Sequence, residues 1–144
     1  MTESVEFEAA ILSTLEEAQG MQEKIVREME QLGFSTRDVF ALRLVIEEAL
    51  TNAIRHGNRW DGSKQVHVFC CLDDHKVRVV ITDQGDGFDP AGVPDPTEEE
   101  FIGRPNGRGI SLMQTYTNLC QYSDGGRRIT IERQRNSPLP RMQD

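Results

Sequence analysis

Glu48 and Asn52 stand one helical turn apart in the run RDVFALRLVIEEALTNAIRHGN, positions 37–58. At about 100° per residue they fall about 40° apart on a helix, whereas Glu47 lies about 100° from Glu48 and points elsewhere. The neutral amide oxygen of Asn52 suits a magnesium ion that keeps several waters and takes its other oxygens from phosphates. A carboxylate one turn earlier, Glu48, is placed to orient or deprotonate an attacking hydroxyl. The same pair could equally hydrogen-bond to each other along a solvated helix face, so it needs support from other segments.

Two glycine-bearing segments offer that support. In the run TDQGDGF, Asp83 comes at the end of an apolar strand pattern and Gly85 and Gly87 follow it. Glycines there let a flat ring approach the backbone, and a carboxylate accepts a hydrogen bond from the exocyclic amine of adenine while repelling the carbonyl oxygen of guanine. An ordinary Asp-Gly hairpin turn would look the same, and a calcium loop is a weaker rival because Gly85 occupies a ligand position. Further on, Gly107 and Gly109 open a short helical pattern, GRGISLMQTY. The first amides of a helix favour an anion, so phosphate could rest there with Arg108 as its cationic partner; the alternative for Arg108 is an exposed solvated charge. The run is neither a P-loop nor a dinucleotide fingerprint, since it lacks the Gly-Lys-Ser/Thr of one and the third glycine of the other.

The elements that must position these groups follow from periodicity. Alternation at Val5, Phe7, Ala9 and Ile11 predicts a first strand, over 5–12, at a sheet edge. Ala18, Met21, Ile25, Met29 and Leu32 recur at helical spacing over 15–32, with Gly33 as the stop and the two methionines as core filler. Positions 37–58 predict one long helix with Ser35 as N-cap and Val39, Leu42, Ile46, Ala49, Leu50 and Ala53 facing the core. Trp60, in the break that follows, is expected to close the loop over the core. Strands at 65–72 and 76–82 form a hairpin across Asp73 and Asp74, and strands at 119–122 and 127–134 form another across Asp124, Gly125 and Gly126. The stretch 83–106 is long and irregular, as functional lids or disordered segments are. The tail 136–144 is expected to be disordered.

At 144 residues the chain suits one domain, here 1–135. A net charge of −8 with scattered basic residues argues against direct nucleic-acid binding. No apolar run spans a membrane and the start, MTESVEFEA, is unlike a signal peptide, so the cytoplasm is the expected location. Three cysteines, two of them adjacent on a strand, suggest reduced packing residues rather than disulfides or a zinc site.

Together the ordered set Glu48-Ala49-Leu50-Thr51-Asn52-Ala53, Asp83-x-Gly85-x-Gly87-Phe88 and Gly107-x-Gly109 resembles the N, G1 and G2 boxes of the GHKL ATPase superfamily. The compact length and the wording EEALTNAIRHGN are most similar to the stand-alone anti-sigma-factor serine/threonine kinases, over about residues 5–134. The resemblance implies the Bergerat fold, an α+β two-layer sandwich whose mixed, mainly antiparallel sheet is covered by helices on one face, with a mobile lid over ATP. It implies Glu48 as catalytic carboxylate and Asn52 as magnesium ligand. Asp83 becomes the adenine reader, with Gly85, Gly87, Gly107, Arg108 and Gly109 around the nucleotide. Thr130 would be the residue that supports Asp83, and His56 matches a histidine frequent after the N box. ATP and Mg²⁺ are the implied cofactors. The implied partners are a sigma factor and an anti-sigma-factor antagonist, the latter being phosphorylated on serine. Family members are commonly dimers, for which the exposed first strand or first helix would serve. An acidic lid cluster, Asp95, Glu98, Glu99 and Glu100, would face solvent or a basic partner. Two other readings are a histidine kinase ATPase domain acting on a separate phosphoacceptor chain, and an ATP-binding regulatory module without transfer activity.

Overall fold

The computed structural model describes residues 4–87 and 107–139. Its elements run β1 (Ser4–Leu12), α1 (Leu15–Gln31), α2 (Thr36–Thr51), a π-helix (Asn52–Gly57), β2 (Gln65–Asp73), β3 (Lys76–Thr82), α3 (Gly107–Thr115), β4 (Leu119–Ser123) and β5 (Arg128–Gln134). The strands form one sheet in the order β1-β2-β3-β5-β4. All four pairings are antiparallel, so the expected mixed sheet has no parallel pair among the described residues.

The α+β two-layer architecture follows from the alternation in the strands. Val66, Val68, Cys70 and Leu72 of β2, Val77, Val79 and Ile81 of β3, and Ile129 and Ile131 of β5 are buried on one face. Against them pack Met21, Ile25 and Met29 of α1 and Leu42, Ile46, Ala49 and Leu50 of α2, giving a single core. β1 is an edge strand, as its pattern predicts. The opposite sheet face carries Glu8, His67 and Arg78, all exposed. Burial raises the thiol of Cys70 to about 12 and that of Cys120 to about 11, so both are protonated packing groups.

Both long helices start at side-chain caps. The Thr14 hydroxyl accepts from Glu17 N–H at 3.2 Å, and Ser35 Oγ accepts from Asp38 N–H at 3.2 Å. Gly33, at φ +79°, ends the connection from α1. The expected single helix over 37–58 instead changes winding at Asn52, where the chain widens into a π-helix closed by Asn58 N–H to Ala53 O at 2.8 Å. Trp60 is half exposed, at φ +60°, and does not close over the core.

A buried ion pair joins the start of α2 to the end of β5. Arg133 Nε donates to Asp38 Oδ1 at 3.0 Å, with both side chains at most 2% exposed. The remaining Arg133 donors go to the carbonyls of Tyr116 and Ser137, and Asn136 N–H donates to the Asp38 carboxylate. Asn136 and Ser137, placed by the sequence in a disordered tail, are therefore tied down, while 140–144 lie outside the described residues. Removing one partner of such a pair leaves the other charge buried and alone. Asp38→Ala is expected to destabilise the fold by about 3–5 kcal/mol, read from the midpoint of urea unfolding; a change below about 1 kcal/mol would mean the pair behaves as an exposed one.

Candidate functional site

Asp83 extends the sheet by one rung. Its N–H donates to Arg127 O at 2.9 Å, just beyond the last β3–β5 pair, Thr82 with Arg128. The backbone then turns, and Gly85 N–H donates back to Asp83 Oδ1 at 2.8 Å. The carboxyl is thereby held at the strand end, with the residue 9% exposed.

The π-helix abuts this turn. A Cβ on Gly57 would lie 2.4 Å from Asp83 Cγ, and one on Gly85 would lie 2.0 Å from Gly57 O. Neither position has room for any side chain. Asn58, fully buried, fixes the approach: Nδ2 donates to Ser13 Oγ and to Gln65 O, each at 3.0 Å, and Oδ1 accepts from Gln84 N–H at 2.8 Å. Gln84 in turn accepts from Gln65 N–H at 2.7 Å. One satisfied buried amide thus ties the ends of β1, β2 and β3 to the helix that carries Asn52.

Between these elements lies a pocket of about 440 Å³, the size of a small-molecule site. Ala49, Ala53, Ile81 and Ile129 give it an apolar base, while Asn52, Asp83 and Tyr122 present polar groups and Gly87 and Gly126 leave bare backbone. Arg55, Arg59 and Arg127 make part of its wall basic, with His56 beside them. Asn52 Nδ2 is buried and makes no hydrogen bond of good geometry, although the amide still lowers the pKa of the neighbouring Tyr122 phenol. Beyond that contact the Asn52 amide is not tied into the fold's hydrogen-bond network, and it lines the pocket.

Electrostatics sharpen the site. Burial raises the Asp83 carboxyl, against the lowering pull of Gly85 N–H, Arg127 and Lys64. Burial and then Arg55 lower His56, so its imidazole is neutral at neutral pH. Burial raises the Tyr122 phenol, and the charges of Glu48 and Asp83 add to that rise. A pocket with this base and these groups can take a flat heteroaromatic ring with a hydrogen-bond donor for Asp83 and an anionic group for its arginines.

Of the residues singled out in the sequence, Asn52, Asp83, Gly87 and His56 line the pocket, and Gly85 shapes the turn beneath it. Glu48 is half-buried one turn before Asn52 and outside the lining, close enough for its charge to act on Tyr122. Gly107 and Gly109 open α3, which packs against α2 and β4. The Arg108 side chain, Phe88 and the acidic lid cluster lie outside the described residues. Thr130 does not support Asp83. It pairs with Val80 and Gln121, and strand alternation turns it away from the face of Ile129 and Ile131. The residue of that hairpin that meets the Asp83 turn is Arg127. Gly57, Asn58, Tyr122 and Arg127 were not legible as site residues; the position of Arg127 directly after a double glycine was the available hint.

A profile of the histidine kinase-like ATPase domain matches residues 11–133. The serine-protein kinase RsbW of Bacillus licheniformis is 29% identical over 91 residues, covering 59% of this chain and 57% of that protein. The anti-sigma F factor of Shouchella clausii is 32% identical over 94 residues, 63% of this chain and 62% of that protein. Both matches therefore span less than two thirds of the relative. A third, the anti-sigma F factor of Anoxybacillus flavithermus, is 28% identical over 107 residues, 71% of this chain and 72% of that protein. Among solved structures, the RsbU and RsbW domains of a Mycobacterium tuberculosis protein share the fold at a TM-score of 0.63 and 15% identity, covering 96% of this chain and 35% of that one.

Two stability tests follow from the geometry. Gly85→Ala must push backbone against backbone and is expected to destabilise by about 1–3 kcal/mol. Gly20→Ala, in α1 with nothing within 4 Å, should instead stabilise by about 0.5–1 kcal/mol. Thermal unfolding of the two variants separates them, and equal effects would contradict the close approach at Gly57. For Asp83 the folded pKa is raised, so the stability linked to its protonated form is full below the ordinary value of 3.8 and is lost as pH rises through the folded value. Asp83→Asn should therefore leave the ligand-free protein as stable or more stable at neutral pH, with the gain shrinking in acid. A variant clearly less stable at neutral pH would refute that electrostatic account.

Proposed function

The chain belongs to the histidine kinase-like ATPase domain family, and from that premise we propose that it is an ATP-dependent serine/threonine protein kinase acting as a cytoplasmic anti-sigma factor. Its substrate is a serine of an antagonist protein, and its other partner is a sigma factor that it holds when the antagonist is phosphorylated. The relatives named as a serine-protein kinase and as anti-sigma F factors support both halves of this reading. The observation that carries it is the buried Asp83 at a strand end, in a pocket that also contains Asn52 one turn beyond Glu48.

Each residue has a definable task. Asp83 accepts the adenine amine, and the apolar base formed by Ile81 and Ile129 receives the ring. Asn52 would hold Mg²⁺, which when bound neutralises phosphate charge. The amides of Gly107 and Gly109 at the start of α3 favour the phosphate chain, with Arg108 as a cationic partner. Glu48 orients the seryl hydroxyl and takes its proton while the hydroxyl oxygen bonds to the γ-phosphorus. The bond from that phosphorus to the bridging oxygen breaks, and ADP leaves.

Calorimetric titration with ATP and magnesium tests the premise. Binding of ATP but not GTP, lost in Asp83→Asn, is the expected result; no binding by folded wild-type protein would overturn it. Glu48→Ala should retain ATP binding while serine phosphorylation of the antagonist falls about 10²–10⁴-fold, measured by radiolabel transfer. Unchanged transfer would remove Glu48 from the mechanism. Acid-labile label on a histidine would point to a histidine kinase module, and nucleotide-dependent complexes without label to a regulatory one.

A further inference from the structure

Arg127 makes an unusual set of bonds for a cation in a pocket wall. Nε donates to Gly85 O at 2.8 Å, Nη2 to Asp86 O at 3.0 Å and Nη1 to Asp124 O at 3.1 Å. Its own carbonyl accepts the Asp83 N–H at 2.9 Å. One residue thus grips the 83–87 turn from both its backbone and its guanidinium. No carboxylate among the described residues forms an ion pair with it. The turn it grips has little other freedom, for Gly87, at φ +83°, has its missing Cβ position only 2.1 Å from Gly125 O. A planar fork of fixed donors suits this task, which a flexible ammonium could meet only in part.

We infer that Arg127 is the positioning residue for base recognition: by clamping the 83–87 turn onto the β4–β5 turn it sets the direction in which Asp83 meets the exocyclic amine of the nucleotide. This rests on the nucleotide reading above. Arg127 acts through Asp83 and need not touch the ligand. Its role takes the place expected for Thr130, which the register puts on the other sheet face.

The role predicts a selectivity change that a purely structural staple would not give. Purine riboside triphosphate carries only a hydrogen where ATP carries the amine read by Asp83, so the ratio of the two dissociation constants reports the Asp83 contact. Both are measured by calorimetry with magnesium on wild type, Arg127→Ala and Arg127→Lys, with circular dichroism and thermal unfolding to establish that each variant is folded. Arg127→Ala should weaken ATP binding about tenfold, the size of one lost charge-assisted hydrogen bond, with little change for purine riboside triphosphate, so that discrimination collapses. Arg127→Lys should recover part of it. An Arg127→Ala protein that loses affinity equally for both nucleotides, or for neither, overturns the inference while leaving the nucleotide reading of the pocket standing. Wild-type protein that binds neither nucleotide overturns the functional reading itself, and this role with it.

Discussion

The structure depends on one close approach: the end of the π-helix at Gly57 lies against the carboxyl of Asp83 and the backbone at Gly85 with no space for a Cβ. That contact brings the helix bearing Glu48 and Asn52 to the strand end bearing Asp83. It also buries a carboxylate, which costs free energy unless hydrogen bonds and cations compensate. Gly85 N–H, Arg127 and Lys64 supply that compensation, yet burial still dominates. The site is therefore built against local stability, as binding sites commonly are.

The π-helix makes the approach possible. Were α2 to continue with α-helical winding past Thr51, Asn58 would not reach its bond to Ala53 O, and the amide that collects Ser13, Gln65 and Gln84 would be displaced. The widened turn keeps Ala53 and Ile54 in the core while bringing Arg55, His56 and Gly57 to the pocket. Such local rewinding is unfavourable in itself and recurs at functional sites, where it redirects side chains. The two left-handed residues that follow, Arg59 and Trp60, are a second local strain, held by Trp60 N–H to Ile54 O at 2.9 Å.

Much of this was legible in the sequence, for identifiable reasons. Strand alternation and helical spacing report burial on one face, so the five strands, both hairpins and the apolar face of α2 could be read directly. Asn52, Asp83 and Gly87, which line the pocket, could be singled out because their residue types and spacing stand out locally. The π-helix left no periodic signature, since it forms from contacts with residues far along the chain. Arg133 and Asp38 carried no signal in the sequence, because nothing local shows that each is the other's partner across 95 positions. Thr130 was misassigned because strand parity decides which residue faces the pocket, and the pocket belongs to the parity of Ile129.

Charge sets a final constraint on how such a pocket works. The protein carries a net charge of −8, yet Arg55, Arg59 and Arg127 line the pocket and His56 is held neutral. A polyanionic ligand is thus repelled at long range and attracted at short range. At physiological ionic strength the Debye length is about 8 Å, so repulsion from distant carboxylates is largely screened while a ligand in the pocket still feels the arginines. Salt consequently acts in two senses, easing approach and weakening the final contacts, and the balance falls on the side chains nearest the ligand because a partly buried pair is screened least. The sign of the field inside the pocket is thereby set by the small basic wall and not by the charge of the whole chain.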